Sequence, residues 1–545
     1  MNTAEALAAC LVNEGVTRVF ALPGEEITDL MEAMLDAGIE LVVTRHEQGA
    51  AFMADVTGRL TGEAGVCLAT LGPGATNLVT GVADADSDRA PVVAITGQAS
   101  LDRTHKESHQ YLDLVSLFQP ITKWNMQIKR PVTVAEAVRS AFRCAEQERP
   151  GATHLDVPED VAREPVPADI VPLDPTDPKA HVARQSQIDA AVELLRSARR
   201  PLILAGNGVI RGVSHDYLRR FAEALNIPVA KTFMGKGVIP YDHPLSIGTL
   251  GLQARDHINC GFDQADLVIS IGYDLIEYAP KYWNPQRRIR VLHIDRTPAD
   301  VDAHYMPAQE VTGDCRVALS QIMEKLDPFP DGPIHRLHGL VHEELMRHAE
   351  DPSFPMKPQR LLWEARQVLA PDDILVSDVG AHKIWIARMY PTLRPNTCLI
   401  SNGFASMGIA LPGGIAAKLV HPERRVLAVA GDGGALMNIQ ELETAVRLGA
   451  AFVLMVWVDG RYGLIDWKQR NRYGHARAVE FGNPDWVRLA EAFGCRGVQV
   501  EAADELGPAL EWGFQQDVPV VVAVPVDPAE NLALTRQLGE IVCPT

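Results

Sequence analysis

Positive charge is scarce in this 545-residue chain: 51 lysines and arginines stand against 70 aspartates and glutamates, a formal net charge of −19. No broad basic face can form for a phosphodiester backbone, which argues against a nucleic-acid partner. Long apolar runs are missing too. No stretch reaches the roughly 18 apolar residues that a membrane-crossing helix needs. Met1 to Leu22 reads as an amphipathic helix followed by a strand, without the basic start and long apolar centre of a secretory signal. The eight cysteines (Cys10, Cys67, Cys144, Cys260, Cys315, Cys398, Cys495 and Cys543) form no CxxC pair and no recognisable framework. That scatter predicts reduced thiols in a cytoplasmic protein.

What is present is an ordinary globular composition, 47% hydrophobic and 22% charged, long enough for about three domains. Apolar strands alternate with amphipathic helices, which implies parallel sheets covered by helices on both faces, an α/β class. The strands expected first are Val16–Leu22, Leu41–Val43, Val66–Ala69 and Pro91–Thr96. Two connectors divide the chain. Glu164–Pro178 carries five prolines, typical of an extended linker, and Asp327–Pro333 with Asp351–Pro358 bracket a second boundary. The expected domains are therefore 1–165, 187–326 and 360–530. In the middle domain, Gly206-Asn207-Gly208 follows a strand but lacks a full dinucleotide fingerprint, so a plain strand–turn–helix accounts for it.

The most informative stretch runs from Val426 to Tyr473. An apolar strand ends at Gly431-Asp432-Gly433-Gly434, a helix is expected over Asn438–Leu448, and a second apolar strand ends at Asp459-Gly460. Two strand ends thus each place a carboxylate at one edge of a sheet, the edge where open α/β sheets bind ligands. Two acidic oxygens beside glycine-rich backbone suit a hard divalent cation that also grips phosphate oxygens. Taken alone, the stretch is equally a strand–helix–strand unit with turn glycines and solvated aspartates.

Six segments, in order, resemble the thiamine-diphosphate enzymes of the acetolactate synthase group. They are RHEQGAAFMADVTGRLTG, ATLGPGATNLVTGVADADSDRAPVVAITGQ, HQYLDLVSLFQPITKW, SDVGAHKIWIARMY, SNGFASMGIALPGGIAAKL and GDGGALMNIQELETAVRLGA. The resemblance implies three doubly wound parallel-sheet domains: pyrimidine-binding, central and diphosphate-binding. It implies thiamine diphosphate and Mg²⁺ as cofactors, the metal on Asp432, Asp459 and the backbone carbonyl of Arg461. Asp459 stands where most of the family has Asn, and the Val-Asp pair Val458-Asp459 resembles the catabolic branch.

Residue by residue, the resemblance makes Glu47 the group that shares a proton with N1′ of the aminopyrimidine, a sharing that a buried carboxyl suits. Without it, Glu47 is a helix-start carboxylate favoured by the helix dipole. Gln110 matches a glutamine near the reacting carbon. Gly72, Pro73, Gly74 and Asn77 match the wall beside the cofactor. Gly380, Ala381 and His382 fall at the diphosphate, with Ala381 replacing a glutamine of the biosynthetic branch. Gly403, Ser406, Gly431, Gly433, Gly434, Tyr462 and Gly463 belong to the same half. Met407 matches the apolar prop beneath the bent cofactor, although a buried Met is usually just core.

The central domain points to a branch. Biosynthetic relatives bind FAD there and carry an arginine in a GARFDDR-like segment, whereas this chain has Ile271-Gly272-Tyr273-Asp274-Leu275-Ile276-Glu277-Tyr278. The resemblance is to the FAD-independent, catabolic type. Where the biosynthetic branch has an acceptor-selecting tryptophan, this chain has Lys468, with Trp467 one position earlier; both are candidate substrate contacts. The implied activity is an acetolactate synthase-like carboligation, in which pyruvate is decarboxylated and the resulting enamine adds to a second 2-oxo acid. The alternatives are simple 2-oxo acid decarboxylation, C–C lyase or hydrolase action on another substrate, or a non-catalytic binding protein. The family places Glu47 of one subunit against the metal half of another, so a homodimer or homotetramer is expected.

Overall fold

The computed structural model describes residues 1–176, 181–251, 256–539 and 543. It contains three sheets of six strands each, every strand pair parallel. The first has the order β2-β1-β3-β4-β6-β5, built from Arg18–Ala21 (β1), Glu40–Val43 (β2), Gly65–Ala69 (β3), Val92–Gln98 (β4), Trp124–Gln127 (β5) and Ala152–Pro158 (β6). The second has the order β12-β11-β10-β7-β8-β9: Pro201–Ala205 (β7), Val229–Lys231 (β8), Ser246–Thr249 (β9), Leu267–Ile271 (β10), Arg290–Asp295 (β11) and Gln309–Thr312 (β12). The third has the order β14-β13-β15-β16-β18-β17: Ile374–Ser377 (β13), Cys398–Ile400 (β14), Val426–Gly431 (β15), Val453–Val458 (β16), Arg496–Gln499 (β17) and Val520–Pro525 (β18). The inner strands are continuous apolar runs because helices cover both faces.

The apolar runs visible in the sequence became these inner strands. The strands that pattern reading missed are at or next to an edge: β5, β6, β8, β9, β12, β14 and β17. All but β6 are short, and several are half-polar, as β17 with its exposed Arg496 and Gln499 illustrates; β6 is buried but interrupted by Thr153, His154 and Asp156. The helix expected from Asn438 to Leu448 begins later, at Glu441, because a short helix at Asp432–Ala435 takes the turn after β15. The proline-rich connector is only partly described, since residues 177–180 lie outside the described residues.

The first and third sheets share one apolar core. The helix Glu47–Thr61 packs on the helix Ala410–Val420, and the Gly413 position lies so close to Val56 that an added Cβ would meet its Cγ2 at 3.0 Å. Polar contacts cross the same boundary. The fully buried Glu441 accepts the main-chain N–H groups of Arg45 (3.1 Å) and His46 (3.0 Å). Arg59 donates to Asp55, Asp84 and Asp88, and two of those carboxylates reach across to the third domain. Asp84 accepts Ser401 Oγ (2.8 Å) and the Ser406 N–H (3.2 Å), while Asp88 accepts the N–H groups of Asn402 (2.8 Å) and Gly403.

One expectation is corrected. The eight cysteines are not all thiols: Cys260 and Cys543 form a disulfide, and the other six are free. The partners are 283 residues apart in sequence, so no local spacing announces them. Among the described residues, no helix is long and apolar enough to cross a membrane.

Candidate active site

The strand order reverses between β13 and β15, the position where an open sheet leaves a crevice at its carboxyl edge. There the third domain forms a cavity of about 200 Å³ whose lining includes His382, Met407, Asp432 and Asp459. Gly380, Ala381, Gly431, Gly433, Gly434, Arg461, Tyr462 and Gly463 also line it, so most of the residues expected in the third domain converge on one space.

Glycine is required here by close approach. A Cβ on Gly434 would come within 2.7 Å of Asp378 Oδ1, and one on Gly463 within 2.8 Å of Asp459 Oδ2. Asp432 sits in a dense donor set. Its Oδ2 accepts the N–H groups of Asp459 (3.1 Å) and Gly460 (2.7 Å) and Nδ2 of Asn483 (2.8 Å), and its Oδ1 accepts the Gly433 N–H (2.9 Å). Burial first, and Asp432 second, push the Asp459 carboxyl up to about 7. Two carboxylates forced together in a buried crevice favour a cation between them. No group of three or more His, Cys, Asp or Glu side chains able to hold a metal occurs among the described residues. A divalent ion here would therefore take side-chain oxygens from this aspartate pair and its remaining ligands from main chain and phosphate.

The same lining carries the buried His382, which burial pushes down to about 4, leaving a neutral ring. Among the described residues its Nε2 has no partner, nor has the buried Trp457 Nε1. Unpaired buried donors and acceptors are costly, and an anionic, hydrogen-bonding ligand in the crevice would relieve that cost. The glycine cradle, the carboxylate pair and these orphan nitrogens fit a metal-bound diphosphate.

The first-domain candidates lie together but outside this cavity. Glu47 opens its helix, is 5% exposed, and accepts Asn77 Nδ2 at Oε2 (2.9 Å). A Cβ on Gly74 would stand 3.4 Å from Glu47 Oε1, and one on Gly72 would stand 2.7 Å from the Gln110 carbonyl oxygen. Gln110 itself has φ 57°, an uncommon backbone state for a residue with a side chain. Glu47, Gly72, Pro73, Gly74, Asn77 and Gln110 thus form a second surface on the same chain.

Gly403 and Ser406 do not line the cavity; they serve it through their bonds to Asp88 and Asp84. Trp467 is buried in the third-domain core with Nε1 donating to Thr535 Oγ1 (2.7 Å), away from the cavity lining. Lys468 is exposed.

Sequence reading missed several residues that build the site. Asp378, at the end of β13, is buried, and its carboxylate accepts the N–H groups of Val379 (2.7 Å), Gly408 (2.9 Å) and Ala410 (3.1 Å), which fixes the loop carrying Met407. It lay inside a quoted segment, where an Asp after a strand gave the signal. Asn483 holds Asp432 from 51 positions away, and only the fold reveals it. In the central sheet, Glu277 occupies the crevice between β7 and β10. Its carboxylate accepts the N–H groups of Asn207 (3.1 Å) and Asp274 (3.1 Å) and the hydroxyl of Thr232.

Comparison with known proteins finds three family models along the chain. Residues 1–117 match the family model described as the N-terminal TPP binding domain of thiamine pyrophosphate enzymes. Residues 188–322 match the central domain of the same enzymes, and 378–524 their C-terminal TPP binding domain. The chain is 36% identical to an acetolactate synthase of Bacillus subtilis (strain 168), over 99% of this chain and 96% of the relative. It is 36% identical to a catabolic acetolactate synthase of Raoultella terrigena, over 98% and 97%. It is 30% identical to the acetolactate synthase isozyme 2 large subunit of Escherichia coli (strain K12), over 98% and 97%. With three family models in order and full-length relatives above the threshold of chance, the chain belongs to the thiamine pyrophosphate enzymes, in the acetolactate synthase family.

Proposed function

We propose that this protein is a thiamine-diphosphate-dependent transferase that joins two 2-oxo acids with loss of CO₂, forming 2-acetolactate from pyruvate. The observation that carries the reading is the Asp432–Asp459 pair at the mouth of a glycine-built crevice, in a chain matching acetolactate synthases along nearly its whole length.

Asp432, Asp459 and the Arg461 carbonyl would hold Mg²⁺, and Gly380 to His382 with Gly431 to Gly434 would receive the diphosphate. When bound, the cofactor supplies the carbanion chemistry that amino-acid side chains lack. The chain's own task is positioning. Met407 would pack against the bound cofactor, on a loop fixed by Asp378, Asp84 and Asp88. Glu47 holds a proton at the aminopyrimidine N1′, with Asn77 occupying Oε2 and leaving Oε1 for that contact. Gln110, beside Gly72, reaches the reacting carbon, and Lys468 attends the acceptor. Because the Glu47 surface and the metal crevice are separate on one chain, a homodimer or homotetramer completes each site from two subunits.

Flavin is not part of this proposal. Glu277 already uses the N–H groups of Asn207 and Asp274, the donors at the central switch point that a dinucleotide phosphate would need. Small-molecule 2-oxo acids are the partners, with neither nucleic acid nor membrane.

The test is product identification after incubation with Mg²⁺, thiamine diphosphate and pyruvate. Acetolactate is the expected product. Acetaldehyde alone would replace this reading with a decarboxylase.

A further inference from the structure

We infer that Glu441 is the positioning residue for Glu47: it fixes the extended chain at Arg45 and His46 and so sets where the Glu47 carboxyl stands. The inference rests on the reading of Glu47 as the proton-holding group and names what holds that group in place.

The chain that leads from β2 into the helix Glu47–Thr61 passes between two kinds of structure. The Thr44 N–H still belongs to the sheet and donates to the Ala21 carbonyl (2.9 Å). His46 is already the helix cap: it is extended, with φ −153° and ψ 141°, and its Nδ1 accepts the Gln48 N–H (3.0 Å). Between these anchors, the N–H groups of Arg45 and His46 face neither a strand nor a helix carbonyl, and buried donors need acceptors. One carboxylate from the third domain takes both. Glu441 Oε1 accepts them at 3.1 and 3.0 Å, and Oε2 accepts the Arg45 N–H at 3.2 Å. The next residue in the chain is Glu47.

Glu441 is itself fully buried and held. Thr444 Oγ1 donates to its Oε2 (2.6 Å), and Arg447, at the far end of the helix Glu441–Arg447, donates to the Val43 carbonyl. Gly49 completes the fit, because a Cβ there would stand 2.7 Å from Glu441 Oε1. The first turn of the Glu47 helix is therefore folded around this carboxylate.

Placement matters more here than at an ordinary helix start. Asn77 occupies Glu47 Oε2, which leaves Oε1 for the aminopyrimidine contact. Asn77 holds the side chain, whereas Glu441 holds the main chain from which that side chain springs. A displacement of about 1 Å at a reacting group costs on the order of a hundredfold in rate.

The test uses the full-length protein with Glu441→Met, Glu441→Gln and Gly49→Ala, and two readouts. One is amide hydrogen exchange at residues 45 and 46 without cofactor. The other is exchange of the C2 proton of thiamine diphosphate bound with Mg²⁺. Glu441→Met keeps the side-chain length and removes the acceptors. It is expected to speed exchange of the two amides at least about tenfold, the scale of a lost buried hydrogen bond. It is expected to slow C2 exchange about ten- to a hundredfold, with cofactor affinity within about twofold. Glu441→Gln keeps an acceptor at Oε1 and can donate to Thr444, so it should restore most of both losses. Gly49→Ala leaves Glu441 in the chain but pushes on its carboxylate, and should slow C2 exchange in the same direction even if Glu441→Met fails to fold. In a Glu47→Gln background, Glu441→Met should slow C2 exchange by less than about twofold further, because the two residues act through one group. The same factor in both backgrounds would make Glu441 a general clamp between domains and overturn the inference. Retained amide protection, or C2 exchange at the wild-type rate, would overturn it as well. Wild-type C2 exchange in Glu47→Gln alone would instead remove the Glu47 reading on which the inference stands.

Discussion

The first and third domains have the same sheet, with strands in the order second, first, third, fourth, sixth, fifth, yet they treat the same place in it oppositely. Between β13 and β15 the crevice is open, and its wall includes Val379, Gly380, Gly431 and Asp432. Between β1 and β3 the equivalent position is shut. Gly24 lies against Thr70, where an added Cβ would come within 2.4 Å, and the Thr70 hydroxyl donates to Glu26 Oε2 (2.7 Å). The chemistry proposed for the first domain belongs instead to the neighbouring helix start, where Glu47 lies. One topology therefore yields an open, glycine-lined pocket in one copy and a filled position in the other. The central sheet makes a third choice. Its order, with strands numbered within the sheet, is 3-2-1-4-5-6, that of dinucleotide-binding folds, but its switch point is filled by Glu277.

The largest expected break in this comparison is Asp432→Ala. It should abolish Mg²⁺-dependent retention of thiamine diphosphate, measured by equilibrium binding, while Asp459→Asn keeps a carbonyl oxygen and is tolerated. Equal failure of both would show that Asp459 is more than an oxygen donor. Next is Glu47→Gln, which should retain the cofactor and cut turnover at least about a hundredfold, the scale of a lost acid–base group. Turnover near wild type would remove Glu47 from the reaction.

A paired substitution tests the open and shut crevices directly. Gly434→Ala pushes against Asp378 and should weaken cofactor binding. Gly24→Ala pushes against Thr70 and should cost about 1–3 kcal/mol of stability, the overpacking range, without changing affinity at the intact site. Chemical denaturation and cofactor titration on both variants separate the two effects.

The smallest effect concerns the filled central crevice. Burial, and then Asp274, push the Glu277 carboxyl up to about 7 from an ordinary 4.5. A raised folded-state value means that its contribution to stability is fully present below about pH 4.5 and is lost as pH rises through about 7. Glu277→Gln should remove that part of the slope in denaturation curves across this window. The purified wild-type protein should carry no stoichiometric flavin, and a yellow protein whose activity falls on flavin removal would overturn the filled-crevice argument.

Much of the fold was legible in the sequence because buried parallel strands leave unbroken apolar runs, as at Val426 to Ala430 and Val520 to Val524. The glycine–aspartate turn was legible for a related reason, since close backbone approach leaves few residues able to stand there. Edge strands such as β17 were hidden because partner strands and solvent, rather than their own composition, decide them. Glu441, Asn483 and Asp84 were hidden because their partners lie far away in sequence. Trp467 reads as a substrate contact by alignment, but one turn of helix directs it to Thr535 instead.

The bond between Cys260 and Cys543, 283 positions apart, closes a ring that threads through half of the central sheet and all of the third. An unfolded ring has far fewer shapes than an unfolded thread, and for a loop of this size chain statistics put the difference at roughly 5–6 kcal/mol. The contribution exists only while the sulfurs are joined. The same polypeptide thus has two resistances to unfolding, and its surroundings choose between them by supplying or withdrawing electrons.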